Sequence, residues 1–431
     1  MDYDVLVVGA GIAGEEASLS LGQMGYKVLL VEKGPSIGGK MVLLSKTFPT
    51  LDCASCISTP KMAETYHHPN ITLMTYAEVK EITRKGDGSF KARLLQKPRY
   101  INEAACTACQ QCEMSCPVMV TDEFNFGLTV RKAAYIPFST AIPNKAVIDV
   151  DNCILCGACE KVCPAGCIDF TQMPQEVEFT VGSVIVSTGF ELCDAEKKPA
   201  YGYGRYKNVI TAMQMERLLA PTRPYNTVLR PSDGRVPDNI AYVLCAGSRD
   251  NTVENPICSR VCCMYSLKQA QLLMGVLPLA DITIYYMDIR AFGKGYEEFY
   301  QQTKAMGTNL VKGRVGKIDE KENGNLILHY EDIDNGAVKK QAEHDLVVLA
   351  VGFLPNNEIT KVFKEDRLLL DDSHFIKEID EDMHPGKTSI DGVFVAGTSS
   401  GPMDIPDTII HAATAAGHAA VHAENIKKGS R

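Results

Sequence analysis

The sequence predicts an α/β fold of two doubly wound sheet units, with a cysteine-rich α+β module inserted into the first. Three observations predict it. The chain opens on a glycine-punctuated strand–turn–helix–strand pattern. A second strand–helix alternation runs through residues 238–311, and residues 99–173 break the pattern with cysteines and prolines. The expected division is 1–98, 174–237 and 346–431 for one discontinuous domain, 99–173 for the insertion, and 238–345 for the second sheet unit.

Composition narrows the classes. The chain has 431 residues, enough for about three domains of ordinary size. Hydrophobic residues at 45% and charged residues at 23% match globular usage and exclude a disordered or fibrous protein. Acidic residues outnumber basic ones by 53 to 44, and a net charge of −9 argues against a general nucleic-acid binder. The apolar runs, such as residues 184–186 and 346–351, fall far short of the roughly 20 residues that span a bilayer. No basic-then-apolar leader opens the chain, so a cytoplasmic protein is expected. Sixteen cysteines are the unusual feature. Reducing cytosol does not keep disulfides closed, so metal or redox chemistry leads.

The first element is a strand over residues 4–8, then the turn Gly9-Ala10-Gly11-Ile12-Ala13-Gly14, a helix over 15–24 and a strand over 27–31 ending at Glu32. Gly9 allows the sharp turn, Gly11 lets backbone approach a pyrophosphate, and Gly14 lets helix and strand pack closely. The helix amino terminus offers N–H groups and a positive dipole to phosphates. Glu32 stands where a carboxylate binds ribose hydroxyls, so the segment reads as a dinucleotide site. The carboxy terminus selects FAD over NAD. Residues 389–397, Ser-Ile-Asp-Gly-Val-Phe-Val-Ala-Gly, are a turn and a short strand before a small-residue helix over 408–424. Two-dinucleotide-domain flavoproteins close their FAD domain with such a segment, and the strands at 184–189 and 347–352 are similar to their crossing points. Lys33, Gly39, Gly189, Gly397 and Asp404 join the candidate FAD residues.

The insertion carries Cys106-x2-Cys109-x2-Cys112-x3-Cys116-Pro117 and Cys153-x2-Cys156-x2-Cys159-x3-Cys163-Pro164, two copies of the bacterial ferredoxin run. A cubane needs thiolates converging from a tight loop, with a distant fourth ligand, and in two-cluster modules that fourth cysteine serves the other cluster. One [4Fe-4S] cluster is therefore assigned to Cys106, Cys109, Cys112 and Cys163, and a second to Cys153, Cys156, Cys159 and Cys116. Zinc also binds CxxC pairs, but two complete runs with trailing prolines favour clusters. About 36 residues join the runs, more than in a minimal ferredoxin.

Residues 238–311 read as a strand (239–244), helix (260–273), strand (281–287), helix (295–306) and strand (308–311). Its first turn is Cys245-Ala246-Gly247-Ser248-Arg249-Asp250, and one glycine does not make the three-glycine cradle of nicotinamide binding. The same turn begins Cys245-x12-Cys258-x3-Cys262-Cys263, four thiols at a strand end and a helix start. On spacing alone, a metal cluster and packed core thiols are equal alternatives.

With those residues in view, the chain resembles a short form of the heterodisulfide reductase A-subunit family. The matching stretches are residues 7–14, 53–61 (Cys-Ala-Ser-Cys-Ile-Ser-Thr-Pro-Lys), both ferredoxin runs, 255–265 and 288–300. The resemblance implies a thioredoxin-reductase-like two-dinucleotide-binding-domain flavoprotein with an inserted bacterial-type two-cluster ferredoxin module. It also implies a third, non-standard [4Fe-4S] cluster held by Cys245, Cys258, Cys262 and Cys263. It implies B- and C-type partner subunits, an electron-donating subunit or ferredoxin, and a central homodimer in a larger complex, with any membrane association through partners. Longer members carry further iron–sulfur domains at both ends, so an outer relay is expected from a partner chain.

The expected function is electron transfer between a two-electron donor and partner subunits through FAD and clusters. Direction, and bifurcation or confurcation of the pair, stay open because cluster potentials depend on surroundings. The rivals are a self-sufficient NAD(P)H-dependent disulfide or small-molecule reductase and a non-catalytic relay. Lys294, in Phe292-Gly293-Lys294-Gly295, is the candidate catalytic charge near the isoalloxazine, against the alternative of a solvated loop lysine. Cys53 and Cys56 are expected as two buried thiols, with a redox pair as the alternative. Cys167 and Cys193 are expected to be inert. His67, His68, His411, His418 and His422 are read as surface or packing residues. Residues 197–206, with Lys197, Lys198, Tyr201 and Tyr206, read as an exposed loop suited to docking.

Overall fold

The computed structural model describes residues 1–429 except Glu365. It forms two compact units, one of residues 1–42, 55–190 and 355–431, the other of 43–54 and 191–354.

The first unit is built on a seven-stranded sheet ordered Ile71–Thr75, Val28–Glu32, Tyr3–Val8, Gln175–Val186, Phe90–Gln96 and Ala77–Arg84, with Val393–Val395 beside Gln175–Val186. The strand Gln175–Val186 does two jobs. Its second half runs parallel to Tyr3–Val8 and Val393–Val395, and its first half pairs antiparallel with Phe90–Gln96. Val5, Leu6, Val7, Val184, Ile185 and Val186 are fully buried, as expected where helices cover both faces of a parallel sheet. The opening helix is Ile12–Gln23, three residues earlier than the sequence pattern suggests, so Gly14 lies within its first turn. The closing helix, Ile405–Gly429, packs a stripe of buried alanines (Ala412, Ala415, Ala416, Ala419).

The inserted module is a small α+β body. Its ends meet at the antiparallel bridge Ile101↔Ile168, and two short helices, Gln111–Ser115 and Ala158–Val162, follow the cysteine loops. The two loops repeat the same backbone. Ala108 and Leu155 are left-handed at φ 57° and 53°, and Gln110 and Gly157 at φ 64° and 69°.

The second unit repeats the plan of the first, with parallel strands followed by an antiparallel meander. Its sheet runs Val209–Thr211, Leu346–Val351, Asn239–Ala246, Asp281–Tyr286, Asn309–Glu320, Leu326–Asp332 and Val338–His344. Residues 191–237, grouped from sequence with the flavin segments, lie here because Val209–Thr211 pairs with Leu346–Val351. The last parallel strand, expected to end at 311, continues to Glu320 because its second half opens the meander. Residues 197–206 are only in part the exposed loop the sequence suggests; Lys197, Gly204 and Arg205 are exposed, but the tyrosines are not. Tyr201 is buried with its hydroxyl donating to the Val315 carbonyl, Tyr203 and Tyr206 pack on the core, and Lys198 pairs with buried Asp250 at 2.6 Å. Ring area buried against the sheet outweighs the polar look of the segment.

Candidate cofactor sites

The glycine turn in the first unit is a cradle with no room for side chains. Gly9 sits at φ 100°, and a Cβ on Gly14 would lie 1.8 Å from the Gly9 carbonyl oxygen. A Cβ on Gly39 would lie 2.7 Å from the Gly11 Cα, so any larger residue would close the channel where backbone approaches a dinucleotide. Glu32 accepts the Ala10 N–H at 2.8 Å and the Gly34 N–H at 2.7 Å, fixing both flanks of the turn. A carboxylate has about four acceptor sites, so these bonds leave capacity for ribose hydroxyls. Burial raises its pKa, against the pull of those N–H groups.

The later segments close on the same cradle. Gly189 donates its N–H to Ser399 Oγ at 2.9 Å, and Gly397 donates its own to His411 Nδ1 at 2.9 Å. His411 is thus a packing residue whose second ring nitrogen meets Glu378 at 2.9 Å. Asp404 accepts the Asp407 N–H at 2.9 Å and so caps the closing helix, whose amino terminus carries the positive end of its dipole. Lys33 is exposed, 3.7 Å from Glu358. Two residues escaped the sequence reading. Ser187 Oγ donates toward the Val8 and Gly9 carbonyls. Glu15 is buried to 1% exposure with neither carboxyl oxygen hydrogen-bonded, and burial raises its pKa to about 8. The closed glycine cradle and the Glu32 carboxylate fit a dinucleotide.

In the insertion, the cysteines of the two runs line two separate cavities. One cavity is lined by Cys106, Cys109, Cys112 and Cys163, and a second by Cys153, Cys156, Cys159 and Cys116. Among the described residues no three Cys, His, Asp or Glu side chains converge on a single-ion point. The thiols stand around a space instead, an arrangement that fits a cage in which each sulfur holds a different iron. Cys167, expected to be inert, also lines the first cavity, its Sγ 3.4 Å from that of Cys163.

In the second unit Cys245 ends the strand Asn239–Ala246 in a left-handed turn, and Cys262 and Cys263 open the helix Cys262–Val276. Burial raises the Cys263 thiol to about 12, and the closeness of Cys245 and Cys258 pushes it the same way, so the four thiols share one neighbourhood. Arg249 reaches Asp288 at 2.6 Å across this turn. A cavity lined by Tyr201, Cys245, Arg249, Tyr285 and Arg314 opens beside it. A Cβ on Gly247 would lie 2.6 Å from buried Cys193, which packs beneath the turn. Lys294 is exposed on the loop before the helix Tyr296–Ala305. Cys53 and Cys56 are disulfide-bonded, not the two buried thiols expected, and Cys56 is exposed.

Two stretches of the chain match known protein families. A family model described as FAD dependent oxidoreductase matches residues 4–86, and one described as 4Fe-4S dicluster domain matches 105–168. The solved thioredoxin reductases of T. acidophilum and Lactococcus lactis are similar in fold, each with a TM-score of 0.54. They are 14% and 16% identical and cover 97% and 98% of this chain, and 98% and 99% of their own. Among curated proteins, the chain is 45% identical over 419 residues to the iron-sulfur A-subunit of the CoB–CoM heterodisulfide reductase of Methanocaldococcus jannaschii, covering 96% of this chain and 64% of that one. It is 46% identical over 418 residues to the second such A-subunit of Methanopyrus kandleri, covering 96% and 63%. It is 44% identical over 423 residues to the A-subunit of the H2:CoB-CoM heterodisulfide,ferredoxin reductase of Methanothermobacter marburgensis, covering 98% and 64%. The chain thus spans a little under two-thirds of those relatives. Among the described residues no helix is long and apolar enough to cross a membrane. By sequence, this chain is similar to heterodisulfide reductase A-subunits along nearly all of its own length, and by fold it is similar to thioredoxin reductases.

Proposed function

We propose that this chain is an iron–sulfur flavoprotein subunit of a heterodisulfide-reductase-like oxidoreductase, carrying electrons between a two-electron donor and partner chains. The observation that carries the reading is the pair of cavities, each ringed by the crossed set of four cysteines, in the same unit as the glycine cradle. When bound, FAD exchanges electrons in pairs or singly, and a cubane passes one at a time. The chain's own residues supply the setting. Gly9, Gly11, Gly14 and Gly39 admit the pyrophosphate, Glu32 orients the ribose, and Gly189, Gly397 and Asp404 close the far side. Cys245, Cys258, Cys262 and Cys263 hold a third cluster, and Lys294 supplies a cation to the flavin. The inserted module at 99–173, cytoplasmic residence, a central homodimer, and B- and C-type subunits with a donor subunit or ferredoxin belong to the same proposal.

The test is anaerobic purification followed by iron, sulfide and flavin analysis and a potentiometric titration. About twelve irons, at four per cubane, and one FAD per chain are expected; a colourless or zinc-loaded chain would refute the reading. In that titration Lys294→Met shifts the flavin midpoint, and no shift removes Lys294 from the scheme. Crossed one-electron flavin potentials would mark division of the pair between two acceptors. A second reading, a self-sufficient NAD(P)H-dependent disulfide reductase, is favoured by the disulfide of Cys53 and Cys56. Reduction of the isolated flavin by NADH would select it, although the single-glycine turn at Gly247 works against that outcome.

A further inference from the structure

The two ferredoxin runs repeat one cysteine spacing and the same left-handed turns, and they differ in the thiols that follow them. Four residues beyond Cys163 stands Cys167; four beyond Cys116 stands Val120. Cys167 is 5% exposed and lines the cavity ringed by Cys106, Cys109, Cys112 and Cys163. Its Sγ lies 3.4 Å from Cys163 Sγ, and its backbone N–H donates to the same sulfur at 3.4 Å. The residue is held in place from the other side, where its carbonyl accepts the Asn102 N–H at 2.7 Å. In the sister cavity Cys116 Sγ faces the Val118 carbonyl, an acceptor, at 3.8 Å.

We propose that Cys167 is a redox-tuning residue of the first cluster, its thiol donating a hydrogen bond to the sulfur of Cys163 without ligating iron. The inference rests on the assignment of that cluster to Cys106, Cys109, Cys112 and Cys163. A ligating sulfur is a thiolate with no proton to give, so in this pair only Cys167 donates. Hydrogen bonds to cluster sulfurs help to set the potential. Reduction brings one electron and one added negative charge onto the cluster, with no bond made or broken and the proton remaining on Cys167 Sγ. Two donors from one residue stabilise that charge and make the first cluster more easily reduced than it would be without them.

The experiment compares anaerobically purified wild type, Cys167→Ala and Cys167→Ser by iron content and by redox titration followed with electron paramagnetic resonance. The Cys167→Ala chain is expected to keep its iron and to lower the midpoint potential of one ferredoxin-type cluster, leaving the other in place. It should also lose one exchangeable-proton coupling to that cluster, and Cys167→Ser should recover part of the shift through its hydroxyl. Unchanged midpoints in an iron-replete Cys167→Ala chain would overturn the proposal. So would the loss of about four irons, which would make Cys167 a ligand. Wild-type protein without clusters would instead overturn the assignment beneath it.

Discussion

Replacing Lys268 by Met removes the cation from a buried carboxylate in the second unit. Glu216 and Lys268 are 2% and 1% exposed and 2.5 Å apart. Glu216 also accepts Gln269 Nε2 at 2.6 Å, and Ser45 Oγ and N–H at 2.6 and 2.8 Å. Burial alone would raise the Glu216 pKa; the Lys268 ammonium and these donors more than reverse it and keep the group ionised. Breaking such a pair from one side costs about 3–5 kcal/mol, because a buried charge is left behind. At about 1.4 kcal/mol per power of ten, local opening becomes roughly two to four powers of ten more frequent. The place to see it is amide hydrogen exchange in Ala212–Leu219 and Cys262–Val276, the helices that carry Glu216 and Lys268. The defect should shrink on acidification. Without its partner Glu216 has a folded pKa above its unfolded one, so folding takes up a proton and stability falls as pH rises. Exchange within about threefold of wild type at neutral pH, or a defect that grows in acid, would refute this account of the pair.

Three other outcomes are expected. Glu15 folds with a pKa raised by burial from 4.5 to about 8, a displacement of roughly 5 kcal/mol that is lost progressively as pH rises through that window; Glu15→Gln should flatten the dependence and be the more stable chain at pH 8.5 and above, and parallel thermal-unfolding profiles would contradict it. Gly14→Ala drives a Cβ to 1.8 Å from the Gly9 carbonyl, so the purified chain should carry little flavin; flavin content equal to wild type would be incompatible with a closed cradle. Cys116→Ser should disturb the cluster of Cys153, Cys156 and Cys159 and spare that of Cys106, Cys109 and Cys112, and the opposite pattern in the resonance spectra would reverse the crossed assignment.

Local chemistry made much of this molecule readable in one dimension. The turn from Gly9 to Gly14 and the x2-x2-x3 cysteine runs are short-range devices whose geometry follows from spacing, so they stand where the residues alone place them. Cys163 lines the cavity of the first run and Cys116 that of the second. Burial and long-range contact are not written in spacing. Tyr201 looks exposed in a Gly- and Lys-rich stretch until the sheet covers it, and Cys167 looks idle until the bridge between Ile101 and Ile168 folds it against Cys163. Glu15 reads as an ordinary helix carboxylate until packing strips it of water, and Glu216 and Lys268 are 52 residues apart in sequence before two helices bring them together. Only the three-dimensional chain sets the solvent around a thiol or a carboxylate, and that solvent governs its charge and its partners.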